Sequence, residues 1–399
     1  MSRIWLNIVG IGEDGVDGLS AGARSAVGNA DIVIGGARHH ALAGNIKAER
    51  LTWPSPFDAM IETIGNLRHR QVCVLVTGDP VWYSAGVKIA SHFKPDEVSI
   101  HPHVSAFQLA ASRMGWALQD VAALTVHGRP IETVLPEIRP GARIVLLTHD
   151  ASTPAQIARL LVQEGFGDSR ITALSHMGGR QETRIDGTAG DWSGRPEDFH
   201  TLCIECIAGT GTQILPRGPG LPDDAFEHDG KMTKSEVRAI SLSRLAPGPG
   251  ELLWDVGCGC GSVAIEWLRM ARNSRAIGLD PHADRRDMAQ RNALQLGVPG
   301  LQLVDATAPA GLAGLDAPDA VFIGGGLSIA TVDACLSALK PHGRLVANAV
   351  TLESEQILSA LYDRHGGHLV RLSVARAEPV GSYHGWKPFM PVTQWSKTI

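Results

Sequence analysis

The stretch Glu251–Trp267, ELLWDVGCGCGSVAIEW, decides how this chain is read. Leu252 to Val256 is an apolar run of strand length. It breaks into Gly257, Gly259 and Gly261, and the periodic apolar residues Val263, Ala264, Trp267 and Leu268 then predict a helix. Glycines at alternate positions allow a sharp turn and let a ligand approach the main chain, with Cys258 and Cys260 as small residues between them. The helix beyond opens with free N–H groups. Asp255 stands at the strand end, where its carboxylate can meet a ligand ammonium. Asp280 ends the next strand, AIGLD, one strand–helix–strand unit later, where a carboxylate accepts hydrogen bonds from ribose hydroxyls. The set suits S-adenosylmethionine, which carries a ribose and an amino-acid tail but no phosphate. A dinucleotide would want a third glycine where Ser262 stands, and Asp255 would bring negative charge to its pyrophosphate.

Around this stretch, strands and helices alternate regularly from Met232 onward, through ADRRDMAQRNALQLG, LQLVDA, PDAVFIGGG, SIATVDACLSALKPHG and RLVANAV. That alternation predicts a doubly wound α/β domain over residues 231–399. At its start, Thr233 and Glu236 have the spacing of a capping box. Residues 210–230, rich in Pro, Gly and Asp, read as a linker or an extended arm. Residues 1–209 form a second alternating region, divided near Gly115 into lobes of about 1–115 and 116–209. One of its helices is expected over SPFDAMIETIGNLRHR.

The bulk properties are those of an ordinary globular chain. Its 399 residues predict two or three domains, and a net charge of −5 argues against a nucleic-acid partner that needs a broad basic face. The N-terminus lacks a cleavable signal pattern and no stretch has the apolar length of a membrane span, so a cytoplasmic location is expected, with no membrane partner. Six cysteines in so long a chain do not form a disulfide framework. Cys203 and Cys206 make a C-x-x-C inside the apolar strand TLCIECIA. Their strand spacing points them to opposite faces, so they read as core residues, and no metal site is expected.

Three loops in the first half follow strands and should gather at one carboxyl sheet edge, where α/β folds bind ligands. They are VGIGEDG with Gly10 and Gly12, TGDP with Gly78 and Asp79, and HPHVSAF with Ser105 and Ala106. Ser105 is placed to cap the helix FQLAASRM, which Gly115 closes. Gly10, Gly12 and Gly15 also fit a dinucleotide spacing, but Glu13 and Asp14 inside the loop would repel phosphates.

These loops, with TVHGR at Thr125–Arg129 after them, resemble in order the motifs of the tetrapyrrole (uroporphyrinogen/corrin) methylase family. Two departures stand out: the first loop lacks the family's proline, and His103 replaces a glycine. The second half is similar to the decarboxylating precorrin methyltransferase domain through GKMTKSEVRA, WDVGCGCGS, LVDAT and FIGGG. Both halves in one chain, in this order, resemble the bifunctional family of precorrin-6Y C5,15-methyltransferases (decarboxylating). The fold implied is a two-lobed α/β tetrapyrrole-methylase-like module followed by a Rossmann-like doubly wound methyltransferase domain.

The resemblance implies methylation of a reduced precorrin at C5 by the first half and at C15 by the second, with loss of the C12 acetate carboxyl, in cobalamin biosynthesis. It implies two S-adenosylmethionine sites per chain. One would use Gly10, Gly12, Gly78, Asp79, Ser105 and Ala106, with Leu147 and Thr148 as further candidates. The other would use Thr233, Asp255, Gly257 to Gly261 and Asp280, with Asp305 and Ala306 near the adenine. No catalytic residue is implied, but Lys234, Arg238, Arg129 and His384 are candidates to meet the carboxylates of the tetrapyrrole. Self-association into a homo-oligomer, and contact with other enzymes of the cobalamin pathway, are expected on the same basis. Readings from other classes are an NAD-dependent oxidoreductase on the second domain, a non-catalytic corrinoid carrier, and an RNA methyltransferase, the last disfavoured by acidity.

Overall fold

Strand β1 (Leu6–Ile11) is buried along nearly its whole length, and a strand apolar on both faces belongs inside a parallel sheet. In the computed structural model, which describes residues 4–53 and 59–399, that sheet also holds β2 (Ile32–Gly35), β3 (Glu49–Thr52), β4 (Val72–Thr77) and β5 (Val98–His101). The order is β3-β2-β4-β1-β5, and every pair is parallel. Because β4 and β5 flank β1, the loops after these three strands converge. A Cβ added at Gly10 would lie 2.1 Å from the Gly78 carbonyl oxygen and 2.8 Å from His103 Cβ. Strand β3 was not foreseen: ERLT is mostly exposed at the sheet edge and has no apolar alternation to reveal it. The helix expected over 55–70 is observed at Ala59–Gly65, and residues 55–58 of that expectation lie outside the described residues.

The helix Ala106–Met114 follows β5. Ser105 Oγ accepts from Gln108 N–H, the Gln108 side chain accepts from Ser105 N–H, and Gly115 closes the helix at φ +66°. A mixed sheet comes next: β6 (Val121–Thr125), β7 (Arg143–Leu147), β8 (Arg170–Ser175), β9 (Thr183–Thr188) and β10 (His200–Glu205), in the order β6-β7-β10-β8-β9. Cys203 and Cys206 are buried there, and burial pushes their thiols up to about 12 and about 11, so both are inert at neutral pH.

The first compact unit comprises residues up to Ile131 and Glu137–Gln213; the second is built on Ile214–Ile399. In the second, β11 (Leu252–Val256), β12 (Arg275–Leu279), β13 (Gln302–Val304), β14 (Ala320–Ile323) and β15 (Arg344–Ala349) are parallel. Strands β16 (His368–Leu372) and β19 (Val392–Thr398) extend the sheet antiparallel, while β17 (Ala375–Val380) and β18 (Tyr383–Pro388) form a separate hairpin. The order β13-β12-β11-β14-β15-β19-β16 reverses direction between β11 and β14. At such a switch point the following loops part and leave a crevice. Successive residues of β11 enter opposite cores: Leu253 packs on the side of the helix Ser262–Met270, Leu252 and Trp254 on the side of Ile329–Ala338.

Part of residues 210–230 is an arm bound to the second unit. Leu221 and Phe226 join its core, and Glu266 accepts hydrogen bonds from the Gly220 and Leu221 N–H groups. The capping box foreseen at Thr233 and Glu236 does not form. The helix is Ser235–Leu245 with Lys234 at its N-cap, and Glu236 is drawn instead to Arg376 of β17 at 2.7 Å. A two-pronged ion pair outcompetes a single capping hydrogen bond. Among the described residues, no helix is long and apolar enough to cross a membrane.

Candidate active site

Strand β11 delivers Asp255 and then the glycine loop to the carboxyl edge of the second sheet. Gly257, at φ +71°, is required twice over: its conformation is left-handed, and a Cβ there would lie 2.6 Å from Gly325 Cα in the loop after β14. Two carboxylates pin the loop at either end. Asp280 Oδ2 accepts from Gly259 N–H at 3.1 Å, and Asp255 Oδ2 accepts from Ala264 N–H at 3.1 Å, inside the first turn of the helix.

These elements enclose a cavity of about 330 Å³. Of the residues expected at a cofactor, Thr233, Asp255, Gly257, Cys258, Gly259, Cys260, Asp280 and Ala306 line it. Gly261 does not: it begins the helix, and a Cβ there would press on Ala289 at 3.0 Å, toward the core. Asp305 also points away, 69% exposed and paired with Arg286 at 2.9 Å. Phe322, Gly324 to Gly326, Met232, Lys231 and Arg285 are also part of the wall. Sequence reasoning gave none of them a role, although FIGGG had marked the loop.

The electrostatics favour a cation. Asp255 and Asp280 are 1% and 2% exposed on one cavity wall. Burial pushes the Asp255 carboxyl up to about 7; the Ala264 N–H works against that rise and the Asp280 charge adds to it. A ligand ammonium or sulfonium relieves Asp255, while Asp280 already meets the Gly259 N–H and the His282 ring; a pyrophosphate would be repelled. The helix Ser262–Met270 has no cap from its own N-cap residue; Asp255 takes the Ala264 N–H and Cys260 the Ser262 N–H, so among the described residues the Val263 N–H remains for a ligand carboxylate. Chemistry and volume therefore fit S-adenosylmethionine. The thiols of Cys258 and Cys260 are raised by burial and are wall, not nucleophiles.

The proposed tetrapyrrole contacts fare differently. Arg238 is fully buried and does not line the cavity. Its guanidinium donates to Glu266 Oε1 at 2.5 Å, to the Thr233 carbonyl at 2.6 Å and to the Leu221 carbonyl. It is a structural clamp and cannot reach a substrate. Lys234 is the N-cap residue beyond the cavity wall, and His384 lies on the exposed hairpin, paired in register with Pro379.

In the first unit, the cleft between the two sheets holds a cavity of only about 50 Å³. Gly12, Gly78 and Ala106 line it; Gly10, Asp79, Ser105, Leu147 and Thr148 do not. Asp79 turns back to accept from Val81 N–H, and Thr148 Oγ1 donates to the His200 carbonyl at 2.8 Å. The cleft is filled by Glu13, which takes hydrogen bonds from Arg38 and from His176 at 2.8 Å, and by Phe199 beneath the Arg38 guanidinium. Ligand pockets usually begin near roughly 300 Å³, so S-adenosylmethionine does not fit this cleft as it stands.

Comparison with known proteins agrees with the two-part architecture. The family described as tetrapyrrole (corrin/porphyrin) methylases matches residues 6–192, and the precorrin methyltransferase domain matches residues 224–399. A precorrin-6Y C(5,15)-methyltransferase [decarboxylating] of a Sinorhizobium species is 46% identical over 99% of this chain and 96% of its own length. The enzyme of the same name from Mycobacterium tuberculosis is 39% identical over 98% of this chain and 99% of its own. The crystal structure of the C-terminal domain of a Rhodobacter capsulatus precorrin-6Y C5,15-methyltransferase is 49% identical, covering 46% of this chain and 100% of that one, with a TM-score of 0.44. With full-length identity at this level and both domains present in order, the chain belongs to the precorrin-6Y C(5,15)-methyltransferase (decarboxylating) family.

Proposed function

We propose that this chain is a cobalamin-biosynthetic enzyme that methylates a reduced precorrin at C5 and C15 from two S-adenosylmethionine sites and removes the C12 acetate carboxyl as carbon dioxide. Residues 231–399 would serve C15 and the decarboxylation, residues 1–209 would serve C5, and 210–230 would connect them. The observation that carries the reading is the pair of buried carboxylates, Asp255 and Asp280, at the two ends of one glycine loop. The C5 assignment rests on family membership and not on cavity geometry.

When bound, S-adenosylmethionine supplies a methyl group already activated on a sulfonium. The protein then needs to position it and exclude water, not to provide a strong base. Asp255 would hold the ammonium, Asp280 the ribose, and the helix N-terminus the carboxylate. Phe322 and Met232 would keep the transfer region dry. In decarboxylation the bond to the carboxyl carbon breaks heterolytically. Carbon dioxide leaves, the electron pair passes into the conjugated ring, and a proton completes the methyl group at C12.

Two further inferences concern setting. Six buried, unpaired cysteines suit the reducing cytoplasm. A homo-oligomer is supported by the hairpin β17–β18, which leaves Tyr383 and Trp386 79% and 77% exposed.

The test is product mass spectrometry with reduced precorrin, alongside calorimetric titration of S-adenosylmethionine. Gain of two methyl groups, loss of one carbon dioxide and two sites per chain are expected. A single methylation, or a single cofactor site, overturns the two-site assignment.

A further inference from the structure

We propose that Lys231 grips a carboxylate of the tetrapyrrole at the mouth of the second unit's cavity, and that this carboxylate is one that remains on the ring. The proposal rests on the reading of that cavity as the site of C15 methylation and decarboxylation. Among the described residues, three basic side chains line the cavity: Lys231, His282 and Arg285. Two are already engaged. Arg285 pairs with Asp229 at 3.0 Å and stands 3.9 Å from Asp280. His282 Nδ1 lies 3.0 Å from Asp280 Oδ1. Lys231 is exposed, and its ammonium has no ion pair or hydrogen bond among the described residues.

The stem of Lys231 is nevertheless fixed. Its N–H donates to Asp229 Oδ1 at 3.0 Å, while Asp229 Oδ2 accepts from Arg285 Nε at 3.2 Å and Nη2 at 3.0 Å. One carboxylate thus fastens the backbone of Lys231 to the helix Ala283–Gln295, just beyond Asp280. The root is held at the cavity wall, and the charged tip, which feels the Asp229 carboxylate electrostatically, makes no ion pair or hydrogen bond among the described residues. A compact ammonium on a flexible stem suits an anionic group whose position varies, as the acetate and propionate arms of a reduced tetrapyrrole do. The cofactor carboxylate has a donor of its own in the Val263 N–H at the helix N-terminus, which leaves Lys231 for an anion of the substrate.

Chemistry also narrows which anion it is. In carbon dioxide loss, negative charge leaves the carboxyl group and moves into the ring. A cation on the departing acetate would stabilise the starting carboxylate more than the transition state and slow the step. Lys231 therefore pairs with a neighbouring carboxylate, orienting the ring while the C12 acetate stays unpaired.

The test uses the full chain with reduced precorrin-6Y as substrate and compares Lys231→Gln with Lys231→Arg. Lys231→Gln should raise KM for the tetrapyrrole by about five- to tenfold and leave kcat within about twofold. It should also flatten the salt dependence of KM, while Lys231→Arg restores both. S-adenosylmethionine affinity and the ratio of decarboxylated to methylated product should not change. An unchanged KM in Lys231→Gln, with an active parent, overturns the proposal alone. Weakened cofactor affinity would give Lys231 to the cofactor carboxylate, and a rise in the decarboxylation ratio would give it to the departing acetate; either overturns it. A parent chain inactive on the tetrapyrrole overturns the reading of the cavity, and this proposal with it.

Discussion

Glu13 Oε2 accepts a hydrogen bond from His176 Nδ1 at 2.8 Å, joining residues 163 positions apart and closing the cleft of the first unit. Arg38 holds the other oxygen and lies over the Phe199 ring at 3.7 Å. Burial alone would push the Glu13 carboxyl up, but the hydrogen bonds from His176 and Arg38 outweigh it and hold the group below its ordinary value of 4.5. A lowered folded value means the stabilisation is present above that ordinary value and lost as pH falls through the folded one. Glu13→Gln should therefore cost about 1 kcal/mol at pH 7, read from thermal melts, and progressively less toward pH 3. An equal loss at both pH values would show that the carboxylate charge is not what holds the latch.

Asp255 works in the opposite sense. Its folded value is raised to about 7, so its buried charge destabilises the free protein as pH rises from the ordinary value of 3.8 through about 7. Asp255→Asn should raise the melting temperature of the free chain at pH 8 and leave it nearly unchanged at pH 4. At the same time it should weaken S-adenosylmethionine binding by about tenfold or more, measured by calorimetry. A lower melting temperature at pH 8 would contradict the assignment.

Gly257 and Gly259 should separate folding from binding. A Cβ at Gly257 meets Gly325 Cα at 2.6 Å, whereas one at Gly259 meets nothing within 4 Å and both residues have positive φ. Gly257→Ala should destabilise the chain by about 2–4 kcal/mol, through backbone strain and a clash between main chains. Gly259→Ala should cost about 1 kcal/mol in a denaturant melt, and act mainly on cofactor affinity by narrowing the cavity. Equal destabilisation by the two would refute this distinction.

Arg238 and Glu266 are a buried pair, 0% and 1% exposed, that ties the arm at Leu221 to the helix Ser235–Leu245. Arg238→Ala should cost about 3–5 kcal/mol, because it strands Glu266 without its counter-charge. Loss of activity with an unchanged melting curve would return Arg238 to the substrate.

Trp386 and Tyr383 give the hairpin its exposed apolar surface. Trp386→Glu should shift the chain to a smaller assembly in light scattering, with the parent's fold by circular dichroism. A parent that is already monomeric would refute self-association.

Both halves of the architecture were legible because α/β units announce themselves locally. Apolar runs ending in Gly or Asp marked β1, β4, β11 and β12, and Ser105 as an N-cap marked a helix start. Strands β3 and β9 were missed because both lie at sheet edges, where alternate residues face solvent and apolar patterning fades. The hairpin β17–β18 has the same exposed character.

Chain order and residue type were enough to reach the family, the glycine loop and the carboxylates Asp255 and Asp280, since strand ends and turns depend on neighbours close in sequence. They could not settle which charges are free. Arg238 and Lys231 look alike in GKMTKSEVRA, but the fold buries one against Glu266, 28 residues away, and leaves the other unpaired at a cavity mouth. Nor could they show that Glu13 closes its cleft on a histidine 163 positions later. Ion pairing and cavity volume depend on contacts that form only when distant segments pack, and tertiary structure alone decides them.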